Sequence, residues 1–329
     1  MRTPTRIRTA RRAAAPHTKL PVMRWRRGER SRNLEDRRAE GGSRSRFGFP
    51  GGVRVGLPGG RAPRLGLGGI VLLVGIAWAL GLDPLTVLTG GAGGTLDGPG
   101  GLPTDIELGG GEGPPGPLST HPGEEERVDF VSFVLDDVQE TWARLLDGYT
   151  DARLVLFRNA VDSGCGRAPS AAGPFYCSRD GRVYVDLGFF DELHSRFGAP
   201  GDFAQAYVLA HEIGHHVQSQ LGTERELRAR QQARPADANA LSVRLELQAD
   251  CYAGVWAHST ARRDLLEAGD LEEGLSAAAA VGDDRIQEMA TGEVRPESFT
   301  HGSSRERATW FRRGFESGDP RACDTFGGD

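Results

Sequence analysis

From Leu65 to Leu82 the sequence LGLGGIVLLVGIAWALGL runs for eighteen residues without a charge, and a stretch dominated by Gly, Pro, Ser, Thr and acidic side chains succeeds it over 89–126. The first is long enough to cross a bilayer as a helix, for which about 20 apolar residues are needed, and extension to Leu88 supplies the rest. The second cannot bury a core and reads as a flexible tether. Together they confine the main fold to the C-terminal side of the tether, with the folded domain expected over 127–329 and beginning near Val128.

Charge is divided at the same place. Residues 1–64 hold 18 basic against 4 acidic side chains, and residues 65–329 hold 22 against 41. An arginine-rich arm could bind nucleic acid, but beside an apolar run it has a simpler use, holding the N-terminus in the cytoplasm by the positive-inside rule. The expectation is therefore a basic, disordered cytoplasmic segment over 1–64, one transmembrane helix over 65–88, and a cell-membrane protein whose domain lies outside the cytoplasm. The partners expected are the membrane and a peptide or protein substrate, with no nucleic acid. The alternative, a secretory signal peptide, would need an unusually long basic region and a small-residue cleavage site that is not evident. Met23, which opens the basic segment MRWRRGERSRNLEDRR, offers a second start.

Within the domain, the Phe130–Leu145 region has apolar residues at helical spacing, Leu154–Phe157 and Val183–Leu187 read as strands, and Phe189–Phe197 and Leu275–Met289 read as helices. Phe203–Gln220, FAQAYVLAHEIGHHVQSQ, reads as one helix with Asp202 as its N-cap. It carries His-Glu-x-x-His at His211, Glu212 and His215. Residues four apart lie on one helix face, so both imidazoles can address one zinc ion while Glu212 reaches the attacking water as general base. The bland reading, a structural histidine pair, stands until a third ligand is found.

That ligand is expected in the helix Leu241–His258, LSVRLELQADCYAGVWAH, where Glu246 and Asp250 share a face. Glu246 is preferred as ligand for its longer arm, with Asp250 fixing a ligand imidazole; the reverse assignment remains open. Four cysteines allow three pairings. In an exported domain the favoured pairs are Cys165–Cys177 and Cys251–Cys323, free buried thiols being the alternative.

These segments, with RWRRGERSRNLEDRR, CGRAPSAAGPFYC, VYVDLGFFDEL, VGDDRIQ and FTHGSSRERATWFRRGF, together resemble the neutral zinc metallopeptidases, a family of membrane-anchored bacterial zincins. The resemblance covers nearly everything from Met23 onward. It implies an α+β, mainly helical zincin-like domain with a small sheet, Zn²⁺ held by His211, His215 and Glu246, and Glu212 as catalytic base in peptide-bond hydrolysis by a zinc-bound water. In zincins of this type a downstream His or Tyr stabilises the oxyanion, a role His301 could take; the competing reading is a cap for the helix starting near Ser303. Asp283, Asp284 and Arg285 read as capping and ion-pair residues, and His194, His216 and His258 as structural. The function expected is a membrane-anchored zinc metallopeptidase. The alternative is a zinc-stabilised scaffold without catalysis.

Overall fold

The computed structural model describes residues 23–40 and 123–327. The span expected over 65–88, the basic residues 1–22 and 41–64, and the tether over 89–122 lie outside the described residues. No helix among the described residues is long and apolar enough to cross a membrane.

The first long helix, α1 (Glu124–Leu145), buries the stripe Val128, Val131, Val134, Leu135, Val138 and Trp142. Its start corrects the tether boundary. Glu124, Glu125 and Glu126 form its first turn, where negative charge is favoured by the helix dipole. Glu124 is buried between Arg38 and Arg158.

A four-stranded sheet has the order β1-β2-β6-β5, formed by β1 (Leu34–Asp36), β2 (Arg153–Phe157), β6 (Arg182–Asp186) and β5 (Phe175–Cys177). β1, β2 and β6 are parallel and β5 runs antiparallel to β6. A separate hairpin joins β3 (Ala160–Ser163) to β4 (Gly166–Pro169). The architecture is mainly helical with a small sheet, in keeping with the expected α+β class.

The strand β1 overturns one expectation. Residues 23–40 fall within the segment read as disordered, yet Leu34, Glu35 and Asp36 pair with Leu154, Val155 and Leu156. The physical reason is that the arm's positive charge is met inside the domain. Arg30 pairs with Glu125 and Asp129, and Arg38, whose side chain is 1% exposed, is enclosed by Asp36, Glu124 and Glu125. Met23 is buried, and Trp25 sets its ring edge-on to Phe130 at 5.5 Å. Residues 34–36 are therefore a strand of the domain's own sheet.

The helical half begins with α2 (Gly188–Ser195) and the expected motif helix α3 (Asp202–Leu221), followed by α4 (Thr223–Ala233) and α5 (Ala238–Arg262), the helix carrying Glu246 and Asp250. Gly214 allows α3 and α5 to cross closely, since a Cβ there would lie 3.0 Å from the Ala249 carbonyl. The region read as one helix over 275–289 is two, α6 (Asp270–Ala280) and α7 (Asp283–Thr291), because Gly282 packs under α8 (Ser304–Ser317) with room for no side chain. Both expected disulfides are present, Cys165–Cys177 and Cys251–Cys323, and the second ties α5 to the C-terminal segment.

Candidate metal centre

One turn separates His211 from His215 on α3, and their rings stand edge to face at 4.8 Å. Glu246 reaches both from α5. Its Oε2 lies 3.2 Å from His211 Nε2 and its Oε1 3.5 Å from His215 Nε2. Ligand atoms of these three residues all fall within 4.8 Å of one another. Around a tetrahedral zinc with bonds near 2.1 Å, neighbouring ligand atoms stand about 3.4 Å apart, so the spacing and the donor set fit that ion.

The remaining nitrogen of each ring is occupied. Asp250 Oδ1 lies 2.8 Å from His211 Nδ1, and Gln218 Oε1 lies 2.8 Å from His215 Nδ1. With both Nδ1 atoms donating, both Nε2 atoms face Glu246 and are the nitrogens left for a metal ion. Asp250 is fully buried and saturated by other partners, the Tyr207 hydroxyl at 2.5 Å and Arg307 Nε at 2.8 Å. The geometry therefore separates the two carboxylates of α5. Glu246 faces the ligand nitrogens, and Asp250 stands behind His211.

The charges at these residues act strongly on one another. Burial favours neutral Glu246, yet the imidazoles of His215 and His211 hold its carboxyl well below the usual range. Burial lowers His211, but Asp250 and Glu246 outweigh it and push its pKa up to about 10. Burial likewise opposes charge on Arg307, and Asp250 holds it well above its ordinary value.

Glu212 is buried against the same cleft, a cavity of about 470 Å³ that His211, His215, Glu246 and His301 also line. His301 does not cap α8; that work falls to a capping box of Ser303 and Glu306. Its backbone N–H donates to Asp283 Oδ2 at 2.6 Å, and its Nδ1 lies 3.2 Å from Asp283 Oδ1. Asp283 also accepts from the amides of Thr300 and Gly302, so one carboxylate holds the whole turn. Asp284 caps α8 by accepting from the Ser304 amide at 2.7 Å.

His216 points elsewhere, to the Thr150 carbonyl and the Tyr176 hydroxyl, and His258 meets the Phe315 carbonyl, as their structural reading expected. Asp202 is the exception among the smaller readings. It opens α3, but neither of its carboxylate oxygens has a hydrogen-bond partner, so it caps nothing. The orienting roles of Gln218, Arg307 and Asp283 were missed. Only Gln218 left a signal, since a residue three positions after His215 lies on nearly the same helix face.

The family described as "Putative neutral zinc metallopeptidase" matches residues 23–326. The uncharacterized protein YpfJ of Escherichia coli is 44% identical over 312 residues, covering 93% of this chain and 99% of that protein. The uncharacterized protein Mb2605 of Mycobacterium bovis is 48% identical over 202 residues, 58% of this chain and 68% of that protein. No solved structure matches.

Proposed function

Because this chain belongs to the neutral zinc metallopeptidase family, we propose that it is a zinc-dependent peptidase whose ion is held by His211, His215 and Glu246. The observation that carries the reading is the convergence of these three donors with Glu212 in one cleft. Bound zinc would supply a Lewis acid that acidifies water and polarises a scissile carbonyl. Glu212 would take the proton from the attacking water and deliver it to the leaving amine. His301, which lines the same cleft and is held by Asp283, would donate a hydrogen bond to the developing oxyanion. A structural zinc has no use for a carboxylate at Glu212, which favours hydrolysis over the scaffold reading.

The cleft suggests how substrate is held. Among the described residues β5 is an edge of the sheet, and residues 170–176, which include its first two positions, line the cleft. An extended peptide can add to such an edge through main-chain hydrogen bonds. Phe175, Phe189, Phe197, Val208 and Ile286 give the cavity an apolar wall suited to a large apolar side chain. The substrate class proposed is accordingly an extended peptide or unfolded segment with such a residue beside the cleaved bond.

We also place the domain in an oxidising compartment, because both disulfides close under such conditions. The run at 65–82 would hold it at a membrane, with residues 23–40 kept on the domain's own side. Incubating the zinc-loaded full chain with casein and with a peptide library, with and without chelator, tests the activity. Cleavage that chelator abolishes and zinc restores is expected, with apolar residues enriched at the cut. No cleavage by zinc-loaded protein would support the scaffold instead.

A further inference from the structure

Outside the cleft, the first residue of the motif helix α3 meets the start of α6. An oxygen of Asp202, one of Asp270 and one of Glu273 all lie within 4.8 Å of one another. Acidic side chains often gather at a surface without consequence, but these are enclosed. Asp270 is 0% exposed; its Oδ2 accepts from the Glu267 amide at 2.8 Å, and its Oδ1 has no partner. Both oxygens of Asp202 are likewise shut off from solvent and unpartnered. Three carboxylate oxygens on two neighbouring side chains therefore receive no donor. Glu273 closes the group. It accepts from the Phe203 amide at 3.2 Å, and its carboxylate occupies the space where a side chain at Gly201 would stand, so only glycine before Asp202 leaves room for it.

Carboxylates set this close repel one another, and burying them is costly unless a cation joins them. Among the described residues no Lys, Arg or His pairs with any of the three, and Arg24 is engaged with Glu267 instead. The helix dipole favours negative charge in the first turns of α3 and α6, yet it satisfies no acceptor. The donor set then selects the ion. Oxygen ligands without imidazole or thiolate suit a hard cation. Oxygens bound to one Ca²⁺ at about 2.4 Å stand at most about 4.8 Å apart, so these carboxylates are spaced to share it. Mg²⁺ keeps most of its waters and takes only one or two carboxylates, whereas Ca²⁺ gathers about six to eight oxygens in a flexible shell. Glu273 is only half-buried, so water can complete such a shell from its side.

We propose that Asp202, Asp270 and Glu273 form a calcium site that clamps the first turn of the helix carrying His211, Glu212 and His215 to the first turn of α6. The ion neutralises the three carboxylates and supplies the partner that their buried oxygens lack. In donor chemistry the site is the opposite of the histidine centre further along the same helix. The inference does not rest on the hydrolytic reading and would survive its failure.

Calcium titration of the zinc-loaded full chain, read by calorimetry and by thermal melting, tests it. About one Ca²⁺ per chain should bind, and Ca²⁺ about tenfold above its dissociation constant should raise the melting midpoint by about 3–6 °C. Asp270→Asn and Glu273→Gln should each weaken Ca²⁺ binding at least about tenfold and remove most of that rise, since both take a charge from the shell. If Asp270→Asn does not fold, Glu273→Gln, at the half-buried member, decides alone. Equal Ca²⁺ affinity in the parent and Glu273→Gln would put the ion elsewhere and overturn the proposal. An unchanged parent midpoint at about 10 mM Ca²⁺, well above the weakest protein sites, would overturn it too. So would a response to Mg²⁺ with none to Ca²⁺.

Discussion

Asp250 stands 2.8 Å behind the Nδ1 of His211, and the same carboxylate holds the buried guanidinium of Arg307. The contact does two jobs. It selects the tautomer that leaves His211 Nε2 free, and it neutralises Arg307. Asp250→Asn should weaken zinc binding about 10–100-fold, the usual cost of losing such an orienting partner. Leaving Arg307 buried beside a neutral amide should also cost about 3–5 kcal/mol of stability. Zinc competition titration and denaturant unfolding of the same variant check both.

In the metal-free protein His211 should be protonated at neutral pH, since its pKa is pushed up to about 10. Zinc must displace that proton. Apparent zinc affinity should therefore fall about tenfold for each unit of pH lost per displaced proton. The linkage also sets the sign for stability. A raised histidine pKa contributes stability that is full below the unfolded value near 6.5 and is lost as pH rises through about 10. Metal-free protein should weaken between pH 7 and 10 while the zinc-loaded form holds; thermal melts across that range, with and without chelator, measure it.

His301→Ala should lower kcat about 10²–10³-fold with KM little changed, the signature of a donor that acts on the oxyanion. Asp283→Ala removes the carboxylate that holds the 300–302 turn, so it should lower kcat in the same direction while leaving zinc content intact. Steady-state kinetics with a fixed peptide gives both numbers. A His301→Ala rate within a few-fold of the parent removes the catalytic role.

Under the proposed membrane attachment, the β1–β2 pairing predicts that labels at Arg32 and at Arg321 report the same side of the membrane. Single cysteines at these positions, probed in intact cells with a reagent that does not cross membranes, should react alike. Opposite accessibility would mean that the arm is not docked in the membrane-bound protein.

The features legible in the sequence were local ones. The motif helix, the α5 helix with its two carboxylates four apart and the Cys165–Cys177 clip follow from spacing within single segments, and Cys251–Cys323 is the pair that then remains. What stayed hidden was set by contacts between distant segments. The arginines of residues 24–38 look like a solvated charge run until Glu124, Glu125 and Asp129 are brought beside them. Arg307 and Asp283 look like ordinary helix residues, and only the packing of α8 against α5 and of α7 against α8 turns one toward Asp250 and the other toward His301. Val128 reads as the start of the fold for a related reason. A Glu triplet looks like linker when the buried arginines that receive its first member cannot be foreseen.

Everything proposed for the cleft depends on Glu212 moving a proton beside a catalytic metal. Glu212→Gln keeps the shape of the cleft and removes only the base. Measured together on one preparation, zinc content and peptide turnover should show about one zinc per chain and a rate lowered by at least about 10³-fold. Full zinc with undiminished turnover would refute catalysis by this residue.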